Sequence, residues 1–258
     1  MFRDGRPLTA SHRGLVFAGL AFAGLLAALV FAAGAWTPRL SRVRGASAAR
    51  SALDGALPAA RRSILRVPHA AAPIVLDGDN DDPGWLATPG PARTGPFITV
   101  AGRAARPHSE ARVLWGDGHL YVLLYAADED VRSRADGFRM TFSRAGTTFA
   151  IAVSADGAVR DDSRDAQGRV DASWRSGAHV SREIDGTVDD PRDVDEEWSL
   201  ETAVPLAAVG LRGVPGERIG FAVERCDAPQ PGAEGCGGWG GWGGWRRDDR
   251  ERGELVIE

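Results

Sequence analysis

The chain has 258 residues, 43% of them hydrophobic, with 31 arginines, no lysine and two cysteines, a composition that excludes general disorder, collagen-like repeats and a dense disulfide scaffold. The absence of lysine excludes a Schiff-base lysine and a P-loop lysine. Residues 1–70 hold ten arginines and two acidic residues, whereas residues 71–258 hold 21 arginines and 33 acidic residues. An acidic domain of this kind argues against nucleic acid as a partner, because phosphate binding depends on clustered positive charge.

Residues 1–36 have the features of a signal peptide or a membrane anchor. Residues 14–36 contain no charged side chain and, as a helix, are long enough to cross the bilayer core of about 30 Å. Arginines precede this stretch, and a small-residue site allows secretion after cleavage near Ala35. Residues 37–70 are rich in Ala, Arg and Ser and are predicted to form a flexible basic linker along anionic lipid head groups.

The two cysteines indicate the compartment. Cys226 and Cys236 bracket a segment rich in Pro and Gly, and two cysteines without nearby histidines cannot complete a zinc site. A disulfide that closes this short loop is predicted, with two unrelated free thiols as the alternative. A disulfide places the domain in the periplasm or outside the cell, although the arginines that follow residues 14–36 favour the opposite topology.

Hydrophobic residues in the remaining part, residues 71–258, alternate with period two. Examples are Phe138, Met140 and Phe142, then Phe149, Ile151 and Val153, then Trp198, Leu200 and Thr202, then Ile219, Phe221 and Val223. Such runs are half-buried strands with one face on a core. Asp117-Gly118 predicts a hairpin turn, and only Pro205–Gly210 indicates a helical turn. The predicted fold is all-β, an antiparallel β-sandwich of the jelly-roll or Ig-like kind, preceded by the N-terminal hydrophobic helix.

The sequence contains no recognisable catalytic motif, so no catalytic residue is predicted and the chain is not expected to be an enzyme. The segment 77–82 is rich in Asp but lacks the glycine and the closing glutamate of a calcium loop, so it is predicted to be a turn. The acidic segment Asp189–Glu197 is predicted to be a solvated loop, with binding of a hard cation as the alternative. No cofactor is expected. A structural calcium ion bound by these loops is the alternative.

A repeat of three GGW units, Gly237–Trp245, follows the second cysteine. In a polyproline-II conformation, three residues per turn would place Trp239, Trp242 and Trp245 on one side, about 9 Å apart. A row of such rings is a stacking platform for ring-shaped ligands such as sugars. The alternative is that these rings fold back over the open end of the sandwich.

Four segments of the sequence resemble, in the same order, signatures of the family-nine carbohydrate-binding modules, which are β-sandwich domains related to the DOMON group. These segments are Pro73–Trp85, Arg112–Asp128, Glu197–Leu206 and Gly216–Asp227. The resemblance covers roughly residues 71–258 and implies a β-sandwich fold. It also implies that Trp85, Trp115 and Trp198 occupy structural positions.

The same resemblance implies a sugar held between two tryptophans, with charged residues hydrogen-bonded to its hydroxyl groups. Trp245 matches one of these two tryptophans, but the place of the other lies near Ser133. Arg139 stands where the family usually has a carboxylate, and Ala150 stands where a basic contact is expected.

The leading hypothesis is therefore an exported, non-catalytic carbohydrate-binding domain that binds a poly- or oligosaccharide weakly by tryptophan stacking. Its site residues would be Trp239, Trp242 and Trp245, and its membrane partner would contact the N-terminal segment. The first alternative is a cell-envelope interaction or structural domain with a degenerate sugar site. The second is an accessory part of a glycoside-degrading system.

Overall fold

A computed structural model of the chain describes residues 63–88, 90–99, 103–227, 240–242 and 253–258. Within these ranges the regular structure is almost entirely β-strand, with one short helix, α1 (Pro83–Ala87), and one 3-10 turn at Leu206–Val209. The strands are numbered in chain order as β1 (Ile64–Val67), β2 (Ala92–Arg93), β3 (Ser109–Gly116), β4 (His119–Ala127), β5 (Gly137–Arg144), β6 (Thr147–Ser154), β7 (Val159–Arg164), β8 (Val170–Asp171), β9 (His179–Asp185), β10 (Glu197–Pro205), β11 (Arg218–Cys226), β12 (Gly240–Trp242) and β13 (Gly253–Ile257).

These strands form two sheets, which confirms the predicted all-β class. The first sheet has the order β1-β13-β11-β5-β6-β7-β8, and β12 also pairs with β11. The second sheet has the order β2-β3-β4-β10-β9. Neighbouring strands are antiparallel except β1 and β13, which run parallel, so the first sheet is mixed rather than purely antiparallel.

The residues that alternate in the sequence form the core between the two sheets. Phe138, Met140 and Phe142 of β5 are fully buried, together with the inward-facing residues of β4, β6, β10 and β11. Burial of such side chains is the main favourable term in folding. The hairpin between β3 and β4 turns at Asp117 and Gly118, whose φ angles are both positive, as a type I′ turn requires.

The sandwich begins before residue 71, the predicted end of the linker. Ile64–Val67 pairs with Gly253–Ile257 near the other end of the chain, and Leu65 and Val67 are buried in the core. These four residues alternate between exposed and buried positions like the longer strands. The expectation of a linker over residues 37–70 therefore has to be corrected for this strand, because its short apolar pattern gains a core contact from a distant partner.

Residues 1–62, with the predicted hydrophobic helix at 14–36 and most of the predicted linker, lie outside the described residues. Among the residues that are described, no helix is long and apolar enough to span a bilayer.

A buried ion pair joins the two sheets at one end of the sandwich. Arg225 of β11 is fully buried, and its guanidinium donates to the carboxylate of Asp128 at 2.8 Å and to the backbone carbonyl of Ala127 at 2.8 Å. It also donates to the hydroxyl of Ser109 at 3.0 Å. The Asp128 carboxylate accepts a second hydrogen bond from the indole N–H of Trp198 at 3.1 Å. Strand β11 is thus held to the second sheet by polar contacts as well as by packing.

The segment that leads into α1, together with α1 itself, covers part of the outer face of the second sheet. Trp85 packs there in a small cluster that includes Leu114 and Leu123. Its indole N–H donates to the carboxylate of Glu201 at 2.6 Å, and the backbone N–H of Gly78 donates to the same carboxylate at 2.9 Å. Burial raises the pKa of Glu201, and these hydrogen bonds oppose that rise.

Candidate functional site

Of the three tryptophans predicted to form a stacking platform, the structure describes Trp242, whereas Trp239 and Trp245 lie outside the described residues. Trp242 is on β12, opposite Val223 of β11, and its ring centroid is 6.0 Å from that of Phe221. The ring is partly buried and packs against the core. Trp242 therefore has the alternative arrangement, in which the ring folds back over the sandwich from a β-strand rather than from a polyproline-II segment.

The tryptophans that the family resemblance placed in structural positions do lie in such positions. Trp85 and Trp198 are buried. Trp115 is partly buried against the core, and its indole N–H donates to the backbone carbonyl of Glu258 at 2.9 Å. None of these three rings is available as an open stacking surface.

The outer face of the first sheet is the strongest candidate for a binding site. The core-facing residues of β5, β6, β7 and β11 alternate with residues that point away from the core. The register of the four strands places these outward residues in two rows. The first row is Glu224, Arg139, Ala152 and Arg160, and the second row is Ala222, Thr141, Ala150 and Asp162.

Small side chains in the middle of these rows leave an open floor. Ala152 stands between Arg139 and Arg160, so the two arginine backbones are separated by two strand spacings, about 10 Å. A cavity of about 280 Å³ lies over this part of the sheet, and its lining includes both arginines, Arg134 and the end of β11 at Cys226.

A second cavity of about 360 Å³ adjoins the first. The two share Arg139, Ala150 and Asp162 as lining residues, and the second also contains the hydroxyl group of Thr141 and the carboxyl group of Glu224. The outer face thus offers cationic, anionic and hydroxyl groups side by side, which are the groups that bind polar ligands in concave sites.

The charges on this face are only partly compensated. The carboxylate of Asp162 is 3.6 Å from the guanidinium of Arg139 and 3.3 Å from that of Arg164, so two positive side chains share one negative partner. Among the described residues Arg160 has no ion-pair partner, and Arg139 donates no side-chain hydrogen bond. Burial raises the pKa of Glu224, and the positive charge of Arg139 acts in the opposite direction.

The structure brings together the positions at which the family resemblance implied sugar contacts. Arg139 and Ala150 line the same cavity, and Arg134, next to Ser133, lines it too. The basic group is at 139 rather than 150, and the carboxylate is supplied by Asp162, which is paired with Ala150 in the strand register. An acid and a base therefore occur together here, although at other positions than the resemblance implied.

Sequence reasoning missed Arg160, Asp162 and Glu224. A usable signal existed in β7, where Arg160, Asp162 and Arg164 alternate with period two in a strand that has few apolar residues. That pattern indicates a polar face. It does not show which strands lie beside it, because their register depends on long-range pairing.

Cys226 ends β11 and lines the first cavity. Cys236 lies outside the described residues, so the Cys226–Cys236 disulfide stays a prediction. Residues 228–239 join Asp227 to Gly240, which is paired with Arg225. Both ends of this segment therefore lie at the end of the sheet that carries the first cavity.

In the two acidic segments, 77–82 and 189–197, the buried carboxylates of Asp82 and Asp195 accept hydrogen bonds from backbone N–H groups. Asp195 is buried, and its carboxylate accepts hydrogen bonds from the backbone N–H groups of Val131 at 2.6 Å and Thr187 at 2.7 Å. Asp82 accepts from the backbone N–H of Gly84 and caps α1. In the described ranges no group of three or more His, Cys, Asp or Glu side chains is arranged to hold a metal ion.

Comparison with known proteins finds no matching family model and no matching curated protein. Among solved structures, the fold is similar to that of a candidate carbohydrate-binding protein from Bacteroides uniformis, with a TM-score of 0.52, 14% identity, 76% of this chain and 100% of that chain covered. It is also similar to a family-nine carbohydrate-binding module from Caldicellulosiruptor kristjanssonii in complex with glucose, with a TM-score of 0.50, 15% identity, and 75% of this chain and 95% of that chain covered. The described part of the chain therefore has a fold like that of the family-nine carbohydrate-binding modules.

Proposed function

We propose that this chain is an exported, non-catalytic carbohydrate-binding domain that holds a sugar on the outer face of β5, β6, β7 and β11. The observation that carries the proposal is the pair of adjoining cavities, in which arginine, carboxylate and hydroxyl groups surround a floor of alanines. These groups can exchange hydrogen bonds with sugar hydroxyls while the floor admits a ring. The similarity of the fold to the folds of carbohydrate-binding proteins supports the same proposal.

Tryptophan stacking is the part of this proposal that depends on residues 228–252. No tryptophan or tyrosine ring lines either cavity among the described residues. Trp245, which matches a clamp residue of the resembled family, is proposed as the main stacking surface, and Trp239 of the same repeat as a second one. Stacking on one side only buries less of the ligand than a clamp between two rings does. The expected Kd is therefore about millimolar, which corresponds to a binding free energy of about 4 kcal/mol in magnitude.

Export is supported by sequence features rather than by the sandwich itself. Residues 14–36 would anchor the chain in the cytoplasmic membrane or be removed after cleavage near Ala35, and the predicted disulfide fits an oxidising compartment. A periplasmic or extracellular location would place the proposed site where polysaccharides occur.

The proposal is tested by filling the cavity. Ala152→Leu adds a bulky side chain between Arg139 and Arg160 on the outer face and leaves the core unchanged. We expect it to abolish the chemical-shift changes and saturation-transfer signals that cellobiose or xylobiose produces in the 258-residue chain. Ala172→Leu, at an exposed position away from both cavities, is the matched control and should bind like the original chain.

Two outcomes would contradict the proposal. Cellobiose or xylobiose binding that survives Ala152→Leu would place the sugar elsewhere. Silence of the original chain across a broad glycan array would remove carbohydrate binding altogether, and would favour the alternative of a cell-envelope interaction domain whose sugar site is degenerate.

A further inference from the structure

Three arginines surround the first cavity, although a neutral sugar needs no charged partner. Arg139 and Arg160 flank Ala152 in one cross-strand row, and Arg134 completes the same lining. The domain that contains them is acidic, with 33 acidic residues against 21 arginines over residues 71–258. Three arginines and three aspartates line this cavity, so the share of arginine among its charged residues is higher than in the domain as a whole.

Two of the three aspartates that line this cavity accept hydrogen bonds from groups other than the lining arginines. Asp136 is buried and accepts the backbone N–H of Arg132 at 2.7 Å. Asp161 accepts the backbone N–H of Ser176 at 2.8 Å and its hydroxyl at 3.0 Å. Asp162 is the one lining carboxylate, among the described residues, that forms an ion pair with a lining arginine, Arg139.

That single carboxylate does not satisfy the arginines around it. It is shared between Arg139 at 3.6 Å and Arg164 at 3.3 Å, and neither distance is accompanied by a side-chain hydrogen bond within the described ranges. The Arg139 side chain is 37% exposed, and Arg160 is exposed as well. Both guanidinium groups therefore keep N–H donors available to a ligand above the alanine floor.

We propose that the sugar bound in the first cavity is a uronic acid, with its carboxylate held between Arg139 and Arg160 above Ala152. The planar guanidinium group donates two parallel hydrogen bonds to a carboxylate, and such charged bonds are stronger than those to neutral hydroxyls. The alanine floor leaves space for the pyranose ring that carries this carboxylate. In the adjoining cavity the hydroxyl of Thr141 can donate and accept hydrogen bonds, and the carboxylate of Glu224 can accept them from hydroxyl groups of the next sugar in the chain.

This inference rests on the proposed carbohydrate-binding function and specifies its ligand class. The affinity for a neutral sugar held by stacking would change little with salt concentration. The affinity for a carboxylate between two partly exposed arginines would fall strongly at high salt, because mobile ions screen exposed charges. The two ligand classes are therefore separable by the same titration at two salt concentrations.

The experiment compares digalacturonate, its dimethyl ester and cellobiose on the 258-residue chain at low and high salt. The ester keeps the rings and removes the charge. We expect digalacturonate to bind at least about tenfold more tightly than the ester at low salt, and this advantage to shrink at high salt. Inorganic sulfate and acetate serve as simple anion probes and should bind more weakly than digalacturonate.

Two variants test the residues. Arg139→Gln and Arg160→Gln should each weaken digalacturonate binding by about tenfold or more and change ester binding by no more than about twofold. Arg192→Gln is the matched control, because that side chain is exposed on a loop and, within the described residues, forms an ion pair only with Asp190. It should leave both affinities unchanged, and thermal melting of all variants should match the original chain.

The outcomes separate the two proposals. Equal binding of the acid and the ester, or loss of both through Arg160→Gln, overturns the uronate assignment and leaves a general sugar site. Sulfate or acetate binding as tight as digalacturonate binding overturns it in favour of a simple anion site. Failure of all three sugars to bind overturns the proposed function as well.

Discussion

Replacing Arg225 by methionine should destabilise the sandwich more than any single surface substitution. The side chain is fully buried, and its guanidinium donates four hydrogen bonds, to the Ser109 hydroxyl, the Ala127 carbonyl and the carboxylates of Asp128 and Asp227. Methionine fills a similar volume, so the main loss is electrostatic rather than a cavity.

The size of the loss follows from the groups left behind. The Asp128 side chain is only 8% exposed and would keep two neutral donors, the indole N–H of Trp198 at 3.1 Å and the backbone N–H of Asp130 at 3.2 Å, but would lose its positive partner. Removal of one partner from a buried ion pair costs about 3–5 kcal/mol, because the other charge stays buried without compensation. A domain of this kind is stable by only about 5–15 kcal/mol, so the variant should lose a large share of its stability.

Urea unfolding of the original chain, Arg225→Met, Asp128→Asn and the double variant measures this coupling. We expect the double variant to be more stable than the sum of the two single losses predicts, by about 1–3 kcal/mol, since the second change removes the charge that the first left unpaired. A loss below about 1 kcal/mol for Arg225→Met, or strict additivity, would refute the reasoning.

The remaining predictions concern the cysteines, two tryptophans and one carboxylate. Mass spectrometry of a non-reduced digest should find Cys226 joined to Cys236, a link worth about 2–3 kcal/mol for so short a loop, and two free thiols would contradict this. Trp198→Ala should cost about 3–5 kcal/mol, whereas Trp242→Ala, at a partly buried ring, should cost about 1–2 kcal/mol, and equal melting temperatures would contradict this order. Burial alone would raise the pKa of Glu217, but backbone N–H groups and two arginines outweigh it and lower the pKa to about 2. Because the folded pKa lies below the unfolded one, this stabilisation is complete above about pH 4.5 and is lost as the pH falls towards 2, so Glu217→Gln should flatten the acid limb of a pH-stability curve.

Local sequence patterns predicted most of the fold because most strands are long enough to show period two. Phe138, Met140 and Phe142 alternate within one strand, and no other part of the chain is needed to interpret them. Ile64–Val67 could not be recognised in this way, since it is only four residues long and its partner lies near the other end of the chain. A contact at that separation leaves no local signal.

The candidate site was harder to predict than the fold for the same reason. Each of Glu224, Arg139 and Arg160 is an unremarkable polar residue in its own strand. They become one row only through the register of β11, β5, β6 and β7, and a shift of one residue in any of these strands would turn its side chain to the opposite face. The GGW repeat is contiguous and can be recognised in the sequence, whereas this row is assembled from distant segments.

Strand β11 connects the stability of the fold to the geometry of the proposed site. Arg225 points inward and is fixed by the second sheet, while its neighbour Glu224 points outward, opposite Arg139. The inward contacts therefore hold β11 in the register that sets the first member of the outward row. Arg225→Met should therefore lower the free energy of unfolding, and it should weaken sugar binding to the extent that β11 leaves this register. Variants of Arg139 and Arg160, whose side chains lie on the outer face, should instead alter binding without changing the free energy of unfolding appreciably.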